Sequence, residues 1–129
     1  MLKASCLLIF TSDDKMILQK RDNKPNVNFA GLWGPIGGAA LDGESEYDCM
    51  IRECLEETGW IPKSVQKVFS VREHCIEAVF CTSLENINDL RCYEGECLKA
   101  FKFHQLDGLK ISQYHRNIIN KCIEIYVKG

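Results

Sequence analysis

One stretch constrains this chain more than any other. Residues 37–60 read Gly-Gly-Ala-Ala-Leu-Asp-Gly-Glu-Ser-Glu-Tyr-Asp-Cys-Met-Ile-Arg-Glu-Cys-Leu-Glu-Glu-Thr-Gly-Trp. Asp42-Gly43 is a turn signal. Ser45 and the acids near it, Asp48 among them, suit a helix start, where carboxylates complement the macrodipole. Gly59 stands where a left-handed C-cap belongs, and Pro62 cannot continue a helix. The pattern therefore predicts a helix over residues 44–58. At about 100° per residue, Glu53, Glu56 and Glu57 share one stripe. Tyr47, Ile51, Cys54, Leu55 and Thr58 fall roughly opposite, on the face a core would take.

Three carboxylates on one stripe repel each other unless a cation sits among them. Oxygen-only ligands suit a hard divalent ion, Mg²⁺ or Mn²⁺. Arg52 can reach Glu56 one turn on, or bend toward Glu53, and hold a carboxylate in place. A bare Glu-x-x-Glu-Glu is usually a solvated helix face, but the surroundings here reverse that reading. Gly38, Glu44 and the run Arg52-Glu53-Cys54-Leu55-Glu56-Glu57-Thr58-Gly59-Trp60 resemble the Nudix box of the Nudix hydrolases. Every fixed glycine, glutamate and arginine of that box is present at its spacing, which makes the signal very specific. Cys54 stands where a larger aliphatic residue is usual, and Trp60 closes the pattern. Both remain apolar, so the departures concern packing.

The resemblance implies the Nudix fold, an α/β/α sandwich with a mixed central sheet. It implies a Mg²⁺-dependent pyrophosphohydrolase, with Mn²⁺ as a substitute, that cleaves a nucleoside diphosphate linked to another group. Glu53, Glu56, Glu57 and the Gly37 carbonyl are the implied metal ligands. Arg52 is implied at the catalytic centre, and Glu53 or Glu94 is the implied general base. Arg21 and Gly38 are placed at the substrate. The double glycine fits because backbone must approach the ion without a Cβ in the way. The family more often has proline directly before these glycines; here Ile36 does, with Pro35 one place earlier.

The flanking sequence is consistent with that frame. At 129 residues the chain is expected to be one domain over 1–129. Residues 3–11 and 16–21 read as strands around a turn at 12–15. Arg21 ends the second strand, either as a solvated end or as a phosphate contact, since its fork of donors matches phosphate oxygens. Trp33 reads as a sheet-packing residue. Residues 64–72 and 74–83 are further strand candidates, with His74 taken as a strand residue, and 84–92 reads as an exposed loop. Glu94-Gly95 precedes a half-buried strand over 98–103; Glu94 matches the family's additional glutamate better than Glu96. From Ser112 a second amphipathic helix follows, with Ile118, Ile119, Cys122, Ile123 and Tyr126 on one side.

Composition narrows the function classes. A net charge of −2 argues against a nucleic-acid polymer as partner. No apolar run is long enough to span a bilayer, and the opening residues lack a cleavage pattern, so the expected place is the cytoplasm. Eight cysteines are scattered without a Cys-x-x-Cys pair, and are read as free thiols rather than zinc ligands or disulfides. The implied partner is a small nucleotide, on a monomer or homodimer. Substrate follows only by elimination. No proline follows Pro62, as some ADP-ribose subgroups require, and no tyrosine lies between Trp60 and Tyr93. A MutT-like (d)NTP pyrophosphatase remains, with nucleotide sugars as the rival. A reading from another class is a nucleotide sensor without turnover; the intact box and the lack of room for a second domain weigh against it.

Overall fold

The strand over Lys3–Thr11 (β1) is buried without a break from Ser5 to Phe10. That requires cover on both of its faces. Alternation divides the run: Cys6, Leu8 and Phe10 point into one interior, Leu7 and Ile9 into the other. The structure, a computed structural model, describes residues 2–129. The first interior is closed by helix α2 (Gln113–Cys122) through Ile118, Ile119 and Cys122. The second is closed by helix α1 (Glu46–Thr58) through Met50 and Cys54. The architecture is thus an α/β/α arrangement about a mixed sheet, as expected.

The other strands are β2 (Lys15–Lys20), β3 (Trp33–Gly34), β4 (Ile36–Ala39), β5 (Val65–Arg72), β6 (Ile76–Leu84) and β7 (Cys97–Lys102). They run in the order β3-β2-β1-β6-β5, with β4 paired to β1 and β7 to β2. The β1–β6 pair is parallel, from Lys3 opposite Ile76 to Thr11 opposite Leu84, and the rest are antiparallel. One edge of β1 is shared: β4 takes Ala4–Leu7 and β2 takes Ile9 and Phe10. That division parts β4 from β2 beside Arg21, the residue that follows the last of β2. Trp33 packs edge-on against Phe101 with centroids 4.9 Å apart, as a sheet-packing residue should.

Two sequence expectations shift. His74 lies in the turn before β6, not in the strand, and is exposed. The buried residues of α1 are Cys49, Met50, Cys54, Glu57 and Thr58, whereas Tyr47 and Leu55 stand 50% and 47% exposed. The cause is the floor on which the helix rests. The Ser5 hydroxyl donates to the Glu46 carbonyl at 2.8 Å, and the Cys49 thiol donates to the Gly38 carbonyl at 3.5 Å. The small thiol and hydroxyl side chains, not the bulky ones, face the close-approaching glycine strand. All eight cysteines are free. No helix among the described residues is long and apolar enough to cross a membrane.

Candidate active site

The site is assembled at the C-terminal half of α1. The helix starts as its caps dictate: the Ser45 hydroxyl accepts from the Asp48 N–H at 3.0 Å. It stops at Gly59, left-handed at φ 70°, whose N–H donates to the Leu55 carbonyl. Beneath it, β4 must be glycine for steric reasons. A Cβ on Gly37 would collide with the Ser5 carbonyl across the β1–β4 pair. One on Gly38 would lie 2.7 Å from the Glu53 carboxyl. The double glycine is therefore what lets a carboxylate of α1 settle onto the sheet.

Arg52 gathers the acids on one side. Its Nε donates to Glu44 at 2.8 Å, Nη2 to Glu44 and to the Ala39 carbonyl at 3.0 Å, and Nη1 to Glu53 at 3.0 Å and Glu56 at 3.3 Å. All five of its N–H groups are engaged. Glu44 also accepts from the Leu41 N–H. The Arg52 hydrogen bonds, followed by that from Leu41, hold its carboxyl down to about 2. Arg52 itself is raised well above its usual range, chiefly by Glu44.

On the other side, carboxylate oxygens of Glu53, Glu57 and Glu94 lie within 4.8 Å of one another. Glu57 is 2% exposed, and its Oε2 has no hydrogen-bond partner. Burial, then the neighbouring Glu53 carboxylate, push its carboxyl up to about 9. Glu94 is raised as well, by burial first and then by Glu53 and Glu56. It arrives from a loop stitched to the end of α1. The Arg91 N–H donates to the Thr58 carbonyl and the Tyr93 N–H to that of Glu57, both at 2.9 Å. Gln19 donates to the Glu94 carbonyl at 2.9 Å. Gly95, at φ 78°, permits this path, since a Cβ there would lie 2.7 Å from the Lys20 carbonyl. Glu96 is instead paired with Lys20 at 3.3 Å.

Of the residues singled out from sequence, the structure thus brings together Glu53, Glu57 and Glu94. Gly37 lines a cavity of about 320 Å³ with Glu57, Glu94 and Arg21. Arg21 has its Nε buried without a partner. Gly38 sits under Glu53, and Arg52 stands behind the acids. Glu56 is half-exposed, turned to Arg52, and outside the trio. Sequence reasoning did not find a second cavity, of about 590 Å³, that shares Arg21 and Gly37 with the first. It is lined by Phe29, Glu77, Tyr114 and His115 among others. His115 is held neutral by burial first, with Arg21 adding to the effect, its pKa brought down to about 4.

A buried carboxylate short of a donor, clustered with two further acids and beside an arginine whose Nε has no partner, fits a divalent cation and an anionic ligand. Such a site suits a class of proteins that hold a cation against a charged small molecule. Comparison with known proteins narrows the class. A family model described as NUDIX domain matches residues 1–122. An ADP-ribose pyrophosphatase of Methanocaldococcus jannaschii is 34% identical over 119 residues, covering 86% of this chain and 67% of that one. The NUDIX domain of Shewanella oneidensis NrtR, solved with ADP ribose, superposes with a TM-score of 0.81 at 20% identity, over 96% of this chain and 87% of that one. A MutT structure from a study of Aliivibrio salmonicida and Vibrio cholerae gives 0.80 at 20% identity, over 97% and 98%. The chain belongs to the Nudix family. It is an enzyme, a hydrolase of phosphoric anhydrides.

Proposed function

We propose that the chain uses Mg²⁺, or Mn²⁺ in its place, to hydrolyse the anhydride of a nucleoside diphosphate that carries a second group. The observation that carries this reading is the unpartnered, buried Glu57 oxygen beside Glu53 and Glu94. Such a shortfall is costly and calls for a reason, and a bound cation supplies one. Glu53, Glu57 and Glu94 would hold the cation, with the Gly37 backbone beside them and Glu56 at the rim. When bound, it supplies charge neutralisation at phosphoryl oxygens and a more acidic water.

The protein's own groups do the rest. Arg21, which lines both cavities, offers its guanidinium to a phosphate oxygen where they meet. Glu94, the most exposed of the three acids, is placed to take a proton from water, because Glu53 is already tied to Arg52. Arg52 lines neither of these two cavities and acts as a positioning residue, fixing Glu53 through a charge-assisted hydrogen bond. The larger cavity takes the nucleoside.

Nucleoside triphosphates represent the MutT-like form of this substrate class. ADP-ribose, in the name of the archaeal relative, represents the other. The test is a panel of ribo- and deoxynucleoside triphosphates, ADP-ribose and nucleotide sugars, incubated with Mg²⁺ and assayed for nucleoside monophosphate. Release from at least one member is expected. A panel left wholly intact would overturn the reading.

A further inference from the structure

Glu77 has a place in the larger cavity that the reaction leaves unused. It projects from β6, is 9% exposed, and accepts one side-chain hydrogen bond, from the Tyr114 hydroxyl at 2.5 Å. No lysine, arginine or histidine pairs with it among the described residues. Burial and the adjoining Glu77 push the Tyr114 hydroxyl well above its ordinary range, which keeps it a donor. A carboxylate has about four lone-pair sites. Tyr114 takes one and the Cys6 thiol lies close by, which leaves others for whatever enters the cavity.

The surrounding walls suit a flat ring. Phe29 lies parallel to Tyr114, 5° between planes with centroids 6.1 Å apart, and packs on the neutral His115 at 4.6 Å. Phe29 adopts φ 56°, a left-handed conformation that costs a non-glycine residue energy, and the residue stays 39% exposed. The loop thus holds an aromatic face open at the cavity despite strain. Base stacking on such a face is favourable for any nucleobase. Glu77 then distinguishes among them.

We propose that this cavity is a guanine site, in which Glu77, oriented by Tyr114, accepts from N1–H and the 2-amino group of the base. The proposal rests on the nucleotide reading of the cavity given above. Among the common bases only guanine sets two N–H donors side by side on its pairing edge. Adenine and cytosine present one donor beside a lone pair that would face the carboxylate. Uracil and thymine offer one N–H between two carbonyls. A ribose diol has two donors but no planar face for Phe29. A site built around a buried acceptor rejects partners that leave it unpaired.

Matched substrates test this: GTP against ATP, and GDP-ribose against ADP-ribose, with ITP as the guanine analogue lacking the 2-amino group. With Mg²⁺, kcat/KM should favour the guanine member of each pair by about 10- to 100-fold, with ITP between. Glu77→Gln should abolish the preference, because a carboxamide offers one donor and one acceptor. Tyr114→Phe, a smaller change that leaves the carboxylate in place, should reduce it. Equal rates, an adenine preference in the parent, or an unchanged ratio in Glu77→Gln would overturn the proposal. If Glu77→Gln does not fold, Tyr114→Phe decides, an unchanged ratio counting against it. A deoxyribose penalty as large as the base preference, dGTP against GTP, would move Glu77 to the sugar and sink it too. If no substrate turns over, the proposed reaction fails separately. The base site is then judged by equilibrium binding of GMP against AMP: tighter GMP supports it and equal affinities reject it.

Discussion

Helix α1 and the turn before it deliver carboxylates to two places and leave them in opposite states. Around Arg52, Glu44, Glu53 and Glu56 meet a guanidinium whose every N–H is used, and Glu44 is held down to about 2. One helical turn away, Glu57 meets two more acids and no donor for its Oε2, and is pushed up to about 9. Glu53 belongs to both groups. The charges are alike; the supply of donors is not. A chain able to supply donors to three acids on one side has left its most deeply buried acid, Glu57, short of a donor on the other. That contrast, more than the acidic stripe itself, separates a structural cluster from a reactive one.

The sharpest way to break this comparison is Glu57→Gln. If the trio holds a cation, kcat at saturating Mg²⁺ should fall roughly a thousand-fold, a loss of several kcal/mol of charge stabilisation. The metal-free melting temperature should stay level or rise, since the folded chain no longer has to hold a proton on a carboxyl that ionises freely when unfolded. Near-parental turnover would place the cation elsewhere. The complementary change, Arg52→Gln, should lower the melting temperature by roughly 5–10 °C, because three carboxylates lose their shared donor. Here the fold suffers directly, and thermal denaturation without metal reads it.

Acid and alkali should separate the two groups in the chelated parent. Glu44 is depressed to about 2 from 4.5, so its contribution is present above pH 4.5 and is lost as pH falls toward 2. Glu57 is raised from 4.5 to about 9, so the folded state holds its proton more tightly than the unfolded chain does. Its contribution is fully present below pH 4.5 and is lost as pH rises through 9. Melting temperature measured from pH 3 to 9 in EDTA should therefore decline at both ends. Glu57→Gln should flatten only the alkaline limb; loss of the acid limb in that variant would contradict the assignment. The smallest effect belongs to Glu46, whose exposed pair with Lys67 spans 2.8 Å. Glu46→Gln should change stability by about 0.5 kcal/mol or less and leave kcat alone, as paired melting and rate measurements would show.

What the sequence disclosed follows the range of the interactions involved. The caps of α1 were legible because Ser45 and Gly59 act within one turn of themselves, although the helix begins at Glu46 and not at Glu44 as expected. The alternation in β1 and the amphipathic side of α2 were legible for the same reason. The orientation of α1 was not. Periodicity tells which residues share a side, not which side meets the sheet, and the glycine floor drew in Cys49, Met50 and Glu57 while leaving Tyr47 and Leu55 outside. Glu94 was visible as an acid-glycine step, although the reason for Gly95, its approach to the Lys20 carbonyl, required the β2 backbone. Glu56 shares the stripe in sequence, yet Arg52 draws it away. The Glu77–Tyr114 pair joins β6 to α2 across 37 residues. Nothing local to either residue announces the other.

The loop stitched to the end of α1 bears on any attempt at transplantation. Residues 37–60 look like a portable cassette, with turn, helix, glycines and acids in one piece. Yet the carbonyls of Glu57 and Thr58 are engaged by Tyr93 and Arg91, and a side chain at Gly59 would strike the Tyr93 ring. Moved alone to another scaffold, the segment would arrive with two of its three clustered acids and with the far end of its helix uncovered. A working graft must carry residues 91–95 too, together with the strand edge that receives them.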